Sequence, residues 1–241
     1  MLDMEGRVGA IMYSETDRPF KTAVDITMTA TLRPELVERT LTSAIAMLNT
    51  TKCHFRLVLN IDQVPKTSVF KADDVWKAAT RHIPVDSCMI PDKPSFALAV
   101  KSNWSRTTAQ YVLNLEDDWD FVRKIDFDWC IAALEAGAAD QIRFNTRRFP
   151  KTSEMQIAGL SPGLWLGSMV RAIAELLVGD FDPEKQIHYG LMGSEMDAVL
   201  PRKIIDYPGG LSVRDTGRDW REMRGIQKWE KNKRNQVVVW A

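Results

Sequence analysis

Two periods alternate in the hydrophobic pattern of this chain. Between residues 24 and 32 every second residue is apolar and threonine or aspartate stands between, which is typical of a β-strand. After Pro34, apolar residues recur at the three- and four-residue spacing of an amphipathic helix. Pro34 suits a first helical turn, because the backbone N–H that proline lacks has no partner there. The chain is therefore predicted to open with a strand followed by a helix.

The same alternation continues along the chain. Further strands are predicted at residues 55–61, 111–115 and 141–145, and further helices at 69–81, 95–110, 127–138, 167–178 and 193–200. Strands that alternate with helices favour an α/β fold, with a mostly parallel central sheet and helices on both faces. Since there is no internal repeat or low-complexity linker, residues 1–241 are predicted to form one domain, with a core at about 22–230 and a basic, mobile tail at about 214–241.

Composition narrows the protein class. Of the 241 residues, 45% are hydrophobic and 27% charged, as in an ordinary globular protein. The formal net charge is zero, so no global field attracts nucleic acid or an anionic membrane. The three cysteines show no CxxC spacing, which argues against a zinc site or a disulfide framework. No stretch approaches the roughly 18 to 20 apolar residues of a membrane span. A cytoplasmic protein is expected.

The strand predicted at 111–115 ends in a cluster of carboxylates at Glu116, Asp117, Asp118 and Asp120. Ligands of open α/β sheets bind outside the carboxyl ends of the strands, where this cluster would lie. Like charges this close repel one another, and a divalent cation would relieve that repulsion. Oxygen ligands suit Mg²⁺ or Mn²⁺. The alternative is a solvated acidic turn.

Residues 111–119, Tyr-Val-Leu-Asn-Leu-Glu-Asp-Asp-Trp, resemble the metal-binding "DXD" segment of GT-A fold glycosyltransferases, in a Glu-Asp-Asp form. Three further segments follow the order of that fold. Residues 26–41 resemble the opening nucleotide-binding unit of family 2-like enzymes, residues 95–104 resemble the helix before the metal motif, and residues 193–200 resemble the late acidic motif of inverting members. The resemblance covers about residues 26–228. It implies a metal-dependent transferase that uses a nucleotide sugar, with UDP as the commonest nucleotide and GDP and dTDP as alternatives.

The resemblance also implies roles for individual residues. Asp118 is expected to bind the metal, and Glu116 and Asp117 to contact the ribose or the waters of the metal. Asp215 would replace a histidine that some relatives use as a late metal ligand, or the metal would rely on Asp118, phosphate and water alone. The other residues expected to bind the nucleotide sugar are Thr29, Thr31, Arg33, Asn60, Asp62, Lys101 and Asn103, with Arg214 and Arg218 on the diphosphate.

The late motif contains two candidate general bases, Glu195 and Asp197, which many relatives would carry as adjacent residues. We prefer Glu195, because Gly193 and Ser194 place it at a predicted helix N-terminus. A single base opposite the leaving group implies inversion at the anomeric carbon.

The acceptor side is expected to include the basic residues Arg147 and Arg148 and the aromatic Trp165, which could instead be a core residue. A glycan is one candidate acceptor. Small viral or phage-type enzymes of this class also glycosylate hydroxymethylated bases in DNA, and such an enzyme would work in the host cytoplasm.

Two rival functions stay open. A nucleotidyltransferase also uses strand-end carboxylates and a metal, but it normally carries a glycine-rich phosphate loop, and residues 29–34 contain no glycine. A non-enzymatic module would use the acidic cluster to hold a structural cation. The sequence leaves the donor sugar, the acceptor and the oligomeric state open.

Overall fold

A computed structural model describes residues 22–66, 68–146, 158–179, 181–189, 194–224, 228–231 and 237–240. The strands are β1 (Thr22–Ala30), β2 (Leu48–Asn49), β3 (Cys53–Ile61), β4 (Val85–Met89), β5 (Tyr111–Glu116), β6 (Trp119–Phe121), β7 (Ile125–Asp126), β8 (Gln141–Arg143), β9 (Gly163–Leu166), β10 (Ile204–Asp206), β11 (Val213–Asp215), β12 (Lys228–Lys231) and β13 (Val237–Trp240). The helices are α1 (Pro34–Met47), α2 (Ala72–Thr80), α3 (Phe96–Ser105), α4 (Phe127–Glu135), α5 (Gly167–Leu176), α6 (Pro183–Tyr189), α7 (Ser194–Val199) and α8 (Gly217–Met223).

The central sheet has seven strands in the order β10-β8-β9-β5-β1-β3-β4. Only β9 runs antiparallel to its neighbours, and every other pair in this sheet is parallel. The prediction of an α/β fold with a mostly parallel sheet is confirmed. Parallel strands end at a common edge, so the carboxyl ends of β1, β3 and β5 lie side by side.

Strand β1 is buried on both faces, as expected for the middle of a covered parallel sheet. Its apolar face belongs to the larger hydrophobic core, with Val24 and Met28 fully buried. Its other face is polar, and there each buried side chain has a partner. Asp25 accepts hydrogen bonds from the backbone of Thr108, and Thr27 donates to Asn114. The alternating pattern identified the strand, although both of its faces are covered.

A second core lies under α3, α5 and α7. Trp104 and Trp165 are both fully buried in it, with ring centroids 5.4 Å apart. Met196 of α7 is also fully buried here, which fixes this short helix to the body of the protein.

Several predicted elements differ from the structure. The helix predicted at 95–110 ends at Ser105, because the backbone N–H groups of Thr108 and Ala109 turn toward Asp25 instead of continuing the helix. Strands β4 and β9 were not predicted. The first part of the tail expected from residue 214 forms regular structure, since β11 pairs with β6 and α8 begins two residues later. No helix among the described residues has the length and apolar character needed to cross a membrane.

Candidate functional site

The ends of three neighbouring strands are tied together at the carboxyl edge of the sheet. The backbone N–H of Asp117, just after β5, donates to Thr29 O at 3.1 Å. The backbone N–H of Asp62, just after β3, donates to Ala30 O at 2.8 Å. In the ladders, Thr29 lies opposite Glu116 on one side and Asn60 on the other. The structure thus brings together these predicted site residues from three separate parts of the sequence.

Asp117 is the most enclosed carboxylate of the acidic cluster, with 2% of its surface exposed. It accepts hydrogen bonds from the backbone N–H of Thr31 at 2.9 Å and from Nε of Arg33 at 3.2 Å. Nη2 of Arg33 also donates to its other carboxylate oxygen. These contacts engage both oxygens of Asp117. The arrangement makes Asp117 and Arg33 a buried ion pair that shapes the site. The nucleotide contacts expected for them stay a prediction.

Asp118 projects beside this pair and is held from the opposite side by the segment that follows β11. The backbone N–H and the hydroxyl of Thr216 both donate to Asp118 O, at 2.8 and 2.9 Å. A Cβ atom on Gly217 would lie 2.0 Å from Oδ2 of Asp118, so only glycine fits there without displacing the carboxylate. Asp215 pairs with Trp119 across the β11–β6 ladder, which brings this predicted metal ligand to the Asp118 region.

Crowding of carboxylates changes their protonation. Burial, followed by the negative charges of Asp118 and Asp117, raises the pKa of Glu116 well above its usual value, and Glu184 of α6 adds to the effect. Burial and the charge of Asp117 also raise the pKa of Asp118 to about 6. Arg33 opposes the rise at both carboxyl groups. The surroundings therefore do not stabilise the fully ionised form of the cluster, and Glu116 and Asp118 keep their protons to a higher pH than usual.

Asp62 and Asn60 form a second polar pair at the end of β3. The Asn60 amide donates to Oδ1 of Asp62 at 2.9 Å, and both residues are buried. Burial raises the pKa of Asp62, while the hydrogen bond from Asn60 lowers it. Because Asp117 contributes to the same rise, Asp62 lies within electrostatic reach of the acidic cluster.

Helix α8 covers Arg33, which the sequence did not indicate. The Trp220 ring lies 5.3 Å from the Arg33 guanidinium, and its Nε1 donates to Glu35 at 2.9 Å. Arg221 lies one helical turn after Gly217 and therefore on the same helix face. Its positive charge opposes the rise in the pKa of Asp118. The spacing of Gly217, Trp220 and Arg221 places them on one face of a helix. The sequence does not indicate which residues that face contacts.

Three predicted site residues have structural contacts. Nζ of Lys101 donates to Leu177 O at 2.8 Å, just beyond the end of α5. The buried Asn103 amide donates to Met28 O at 2.8 Å. Trp165 is fully buried against Trp104, so the expectation that it stacks on an acceptor is wrong and its alternative as a core residue is confirmed. For Lys101 and Asn103 the structure shows hydrogen bonds to backbone carbonyl groups, and their expected contacts with the nucleotide stay a prediction.

The remaining predicted residues are more exposed. Glu195 and Asp197 are both exposed on α7, on either side of the buried Met196. Arg214 is exposed and donates to Asp120 at 3.3 Å, and Arg218 is exposed in the first turn of α8. Arg147 and Arg148 lie outside the described residues.

The described residues contain no group of three or more His, Cys, Asp or Glu side chains arranged to hold a metal ion. Mg²⁺ and Mn²⁺, however, commonly bind through one or two carboxylates together with substrate phosphates. Asp118, with Glu116 and Asp215 nearby, offers oxygen ligands of this kind, and their mutual repulsion favours a cation. The residues fit a divalent ion that is shared with a bound diphosphate, and they do not fit one held by protein alone.

No family model and no curated protein matches the sequence. Among solved structures, the chain is similar to Staphylococcus aureus TarS, with a TM-score of 0.58 and 9% identity over 81% of this chain and 37% of that one. It is similar to residues 1–349 of the same protein in complex with UDP, with a TM-score of 0.53 and 11% identity over 83% of this chain and 63% of that one. The chain thus spans less than two thirds of these proteins.

A third similar structure is glucosyl-3-phosphoglycerate synthase from Mycobacterium tuberculosis in complex with Mg²⁺ and UDP. The TM-score is 0.52 at 12% identity, over 84% of this chain and 74% of that one. At such low identity the similarity concerns the fold. The chain has the GT-A fold, as the order of its motifs predicted.

Proposed function

We propose that this chain is a glycosyltransferase that transfers a sugar from a UDP-sugar to an acceptor hydroxyl, with inversion at the anomeric carbon. The observation that carries the proposal is the convergence of Asp62, after β3, with Glu116 and Asp118, at the end of β5, on either side of β1. In open α/β sheets this edge is where ligands bind. Similar folds have been solved with UDP and with UDP-GlcNAc bound, which supports a nucleotide sugar as the ligand.

The nucleoside would occupy the β1–β3 side of the edge. Asp62 is a carboxylate held in place by Asn60, and it can accept hydrogen bonds from a base or a ribose. Thr29 at the end of β1 and Thr31 just after it lie between this pair and the acidic cluster. Their hydroxyl groups can form hydrogen bonds with the nucleoside. Glu116 would contact the ribose or the waters of the metal.

The diphosphate would lie at Asp118. Asp118, with Glu116 and Asp215, would hold Mg²⁺ or Mn²⁺, and such an ion neutralises charge that develops on the leaving diphosphate. Arg218 and Arg221 of α8, with Arg214 of β11, would add charge-assisted hydrogen bonds to phosphate oxygens. These arginines follow one another on the segment that packs against Asp118.

The proton of the acceptor hydroxyl would be taken by Glu195, with Asp197 as the second candidate. Both are exposed, and the buried Met196 fixes the helix that carries them. A general base typically accelerates such a step by about 10² to 10⁴. The acceptor would be a glycan or a hydroxymethylated base in DNA, and Arg147 and Arg148 would favour an anionic one.

The test is a panel of UDP-, GDP- and dTDP-sugars, each with MnCl₂ or with EDTA, read by thermal shift and by nucleotide release with water as the acceptor. We expect a UDP-sugar to stabilise the protein and to be hydrolysed slowly only when metal is present. Asp118→Asn should abolish both responses. Asp73→Asn, at an exposed position of α2, is the control and should keep them.

The outcomes separate the rival functions. A nucleotidyltransferase would instead form a nucleotide sugar and release inorganic pyrophosphate from a nucleoside triphosphate and a sugar 1-phosphate, which an assay of pyrophosphate release detects. If no nucleotide sugar shifts the melting temperature with or without metal, the proposal fails.

A further inference from the structure

The Arg33 guanidinium spans two carboxylates of the acidic cluster. It pairs with Asp117 through two nitrogens, and Nη2 also lies 3.3 Å from Oδ2 of Asp118. The Arg33 side chain is 6% exposed and the Asp118 side chain 13% exposed, so solvent screens this contact poorly. A positive charge is therefore already present at the carboxylate best placed to hold a metal.

The position of Arg33 is firmly determined. Its pairing with the buried Asp117 anchors one side, and the Trp220 ring covers it at 5.3 Å. An arginine fixed in this way cannot swing into solvent when a cation approaches. A divalent ion at Asp118 would compete with Arg33 for Oδ2 and would meet the repulsion of its charge.

We propose that Arg33 prevents a divalent cation from binding at Asp118 until a nucleotide diphosphate is present, so that the ion and the donor bind as one unit. This inference rests on the proposed donor site. In this proposal Arg33 lowers the affinity of the metal site for a divalent cation by acting on Asp118, and it does not contact the reacting atoms.

The diphosphate changes the balance in two ways. It supplies additional oxygen ligands, because the described residues contain no group of three side chains arranged to hold a metal ion. Its negative charge also offsets the positive charge of Arg33. Binding of the ion and of the diphosphate must then favour each other by the same factor, because coupling between two ligands is reciprocal.

The experiment measures Mn²⁺ binding directly, by electron paramagnetic resonance of the free ion, with and without saturating UDP. UDP without protein serves as a blank, since it chelates Mn²⁺ itself. The variants are Arg33→Lys, which keeps the charge but cannot span two carboxylates, and the double variant Arg33→Met with Asp117→Asn, which leaves no unpaired buried charge. Circular dichroism establishes that each variant is folded. Arg39→Lys is the matched control, because Arg39 pairs with the next carboxylate of the same segment, Asp120, at 2.7 Å.

We expect UDP to raise the Mn²⁺ affinity of the wild type by about tenfold or more, the order that one nearby unit charge can produce. Asp117→Asn alone is the reference for the double variant, because these two proteins differ only at position 33. Relative to that reference, the double variant should bind Mn²⁺ without UDP about tenfold more tightly, and the effect of UDP should shrink accordingly. Arg33→Lys should show a smaller rise, and Arg39→Lys should match the wild type.

Two failures are distinguishable. If all variants are folded, and Arg33→Lys binds Mn²⁺ without UDP within twofold of the wild type and the double variant within twofold of Asp117→Asn, the role of Arg33 is refuted, whatever UDP does. If UDP changes Mn²⁺ binding in none of the proteins, the donor site itself is refuted.

Discussion

Gly217 lies directly against the carboxylate of Asp118, and a Cβ atom at position 217 would stand 2.0 Å from Oδ2. Thr216 fixes the backbone of Asp118 through two hydrogen bonds to its carbonyl oxygen. A side chain at 217 would therefore displace the carboxylate and leave the backbone in place. Residue 217 controls where the carboxylate points, although it lies 99 positions away by its number in the chain.

The first prediction concerns Gly217→Ala. We expect turnover of a UDP-sugar to fall by about 10²-fold, since a displacement of about 1 Å at a reacting centre can cost that much. The melting temperature should stay close to that of the wild type, because the group that moves is the end of a side chain and alanine favours a helix. Ser168→Ala, at an exposed position in the first turn of α5, is the control. Full turnover in Gly217→Ala would show that this contact does not position Asp118.

The second prediction concerns pH. Burial and the negative charge of Asp117 raise the pKa of Asp118 to about 6. The carboxyl group must lose its proton to bind a cation, so below about pH 6 protons compete with the metal. Mn²⁺ affinity, measured with saturating UDP-GlcNAc, should fall by about tenfold or more per pH unit below that pH, and the raised pKa of Glu116 should extend a weaker decline above it. UDP-GlcNAc is preferred to UDP because its diphosphate does not titrate near this pH.

A pH-independent affinity between pH 5 and 7 would contradict this assignment. Asp118→Asn is the control variant. Whatever residual Mn²⁺ affinity it retains should lose the part of the decline that Asp118 causes, because the amide does not titrate.

The third prediction concerns the stability of the Arg33–Asp117 pair. Arg33→Met leaves Asp117, which is 2% exposed, without an opposite charge. Removing one partner of a buried pair typically costs about 3–5 kcal/mol in the free energy of unfolding, to be measured by urea denaturation. The double variant with Asp117→Asn should recover part of that loss, because no buried charge then lacks a partner.

A surface pair gives the comparison. Arg81 bonds Glu38 at 2.8 Å, but both side chains are well exposed. Arg81→Met should therefore cost only about 0–1 kcal/mol. Equal losses for Arg33→Met and Arg81→Met would contradict the structural role of the buried pair.

Local hydrophobic patterns located the candidate site residues that lie at the ends of strands. The alternation at β1 and the apolar run of β5 located both strands, and parallel strands necessarily end at one edge. Strand periodicity thus placed Thr29, Asp62 and Glu116 at strand ends, while their expected roles in one site came from the resemblance to GT-A enzymes.

Long-range contacts could not be predicted in this way. The packing of α8 on Asp118 and Arg33 depends on where the chain returns after β11, and no period in the sequence encodes that return. Strand β9 has four residues, too few for a reliable alternation, and it inserts antiparallel beside β5. Trp165 lies in that strand, so its burial could not be distinguished from an exposed stacking position.

The last prediction separates the two candidate bases. Glu195 and Asp197 are two residues apart on α7, and positions i and i+2 of a helix point to different sides. Only one of them can therefore face the acceptor. We expect Glu195→Gln to lower the rate of donor hydrolysis by about 10² to 10⁴, because the general base that activates water is lost. Asp197→Asn should change that rate by no more than a few-fold. Neither substitution should alter the thermal shift produced by UDP-GlcNAc with Mn²⁺, since the base does not contact the nucleotide. The opposite pattern, with loss of hydrolysis in Asp197→Asn and activity retained in Glu195→Gln, would assign the base to Asp197.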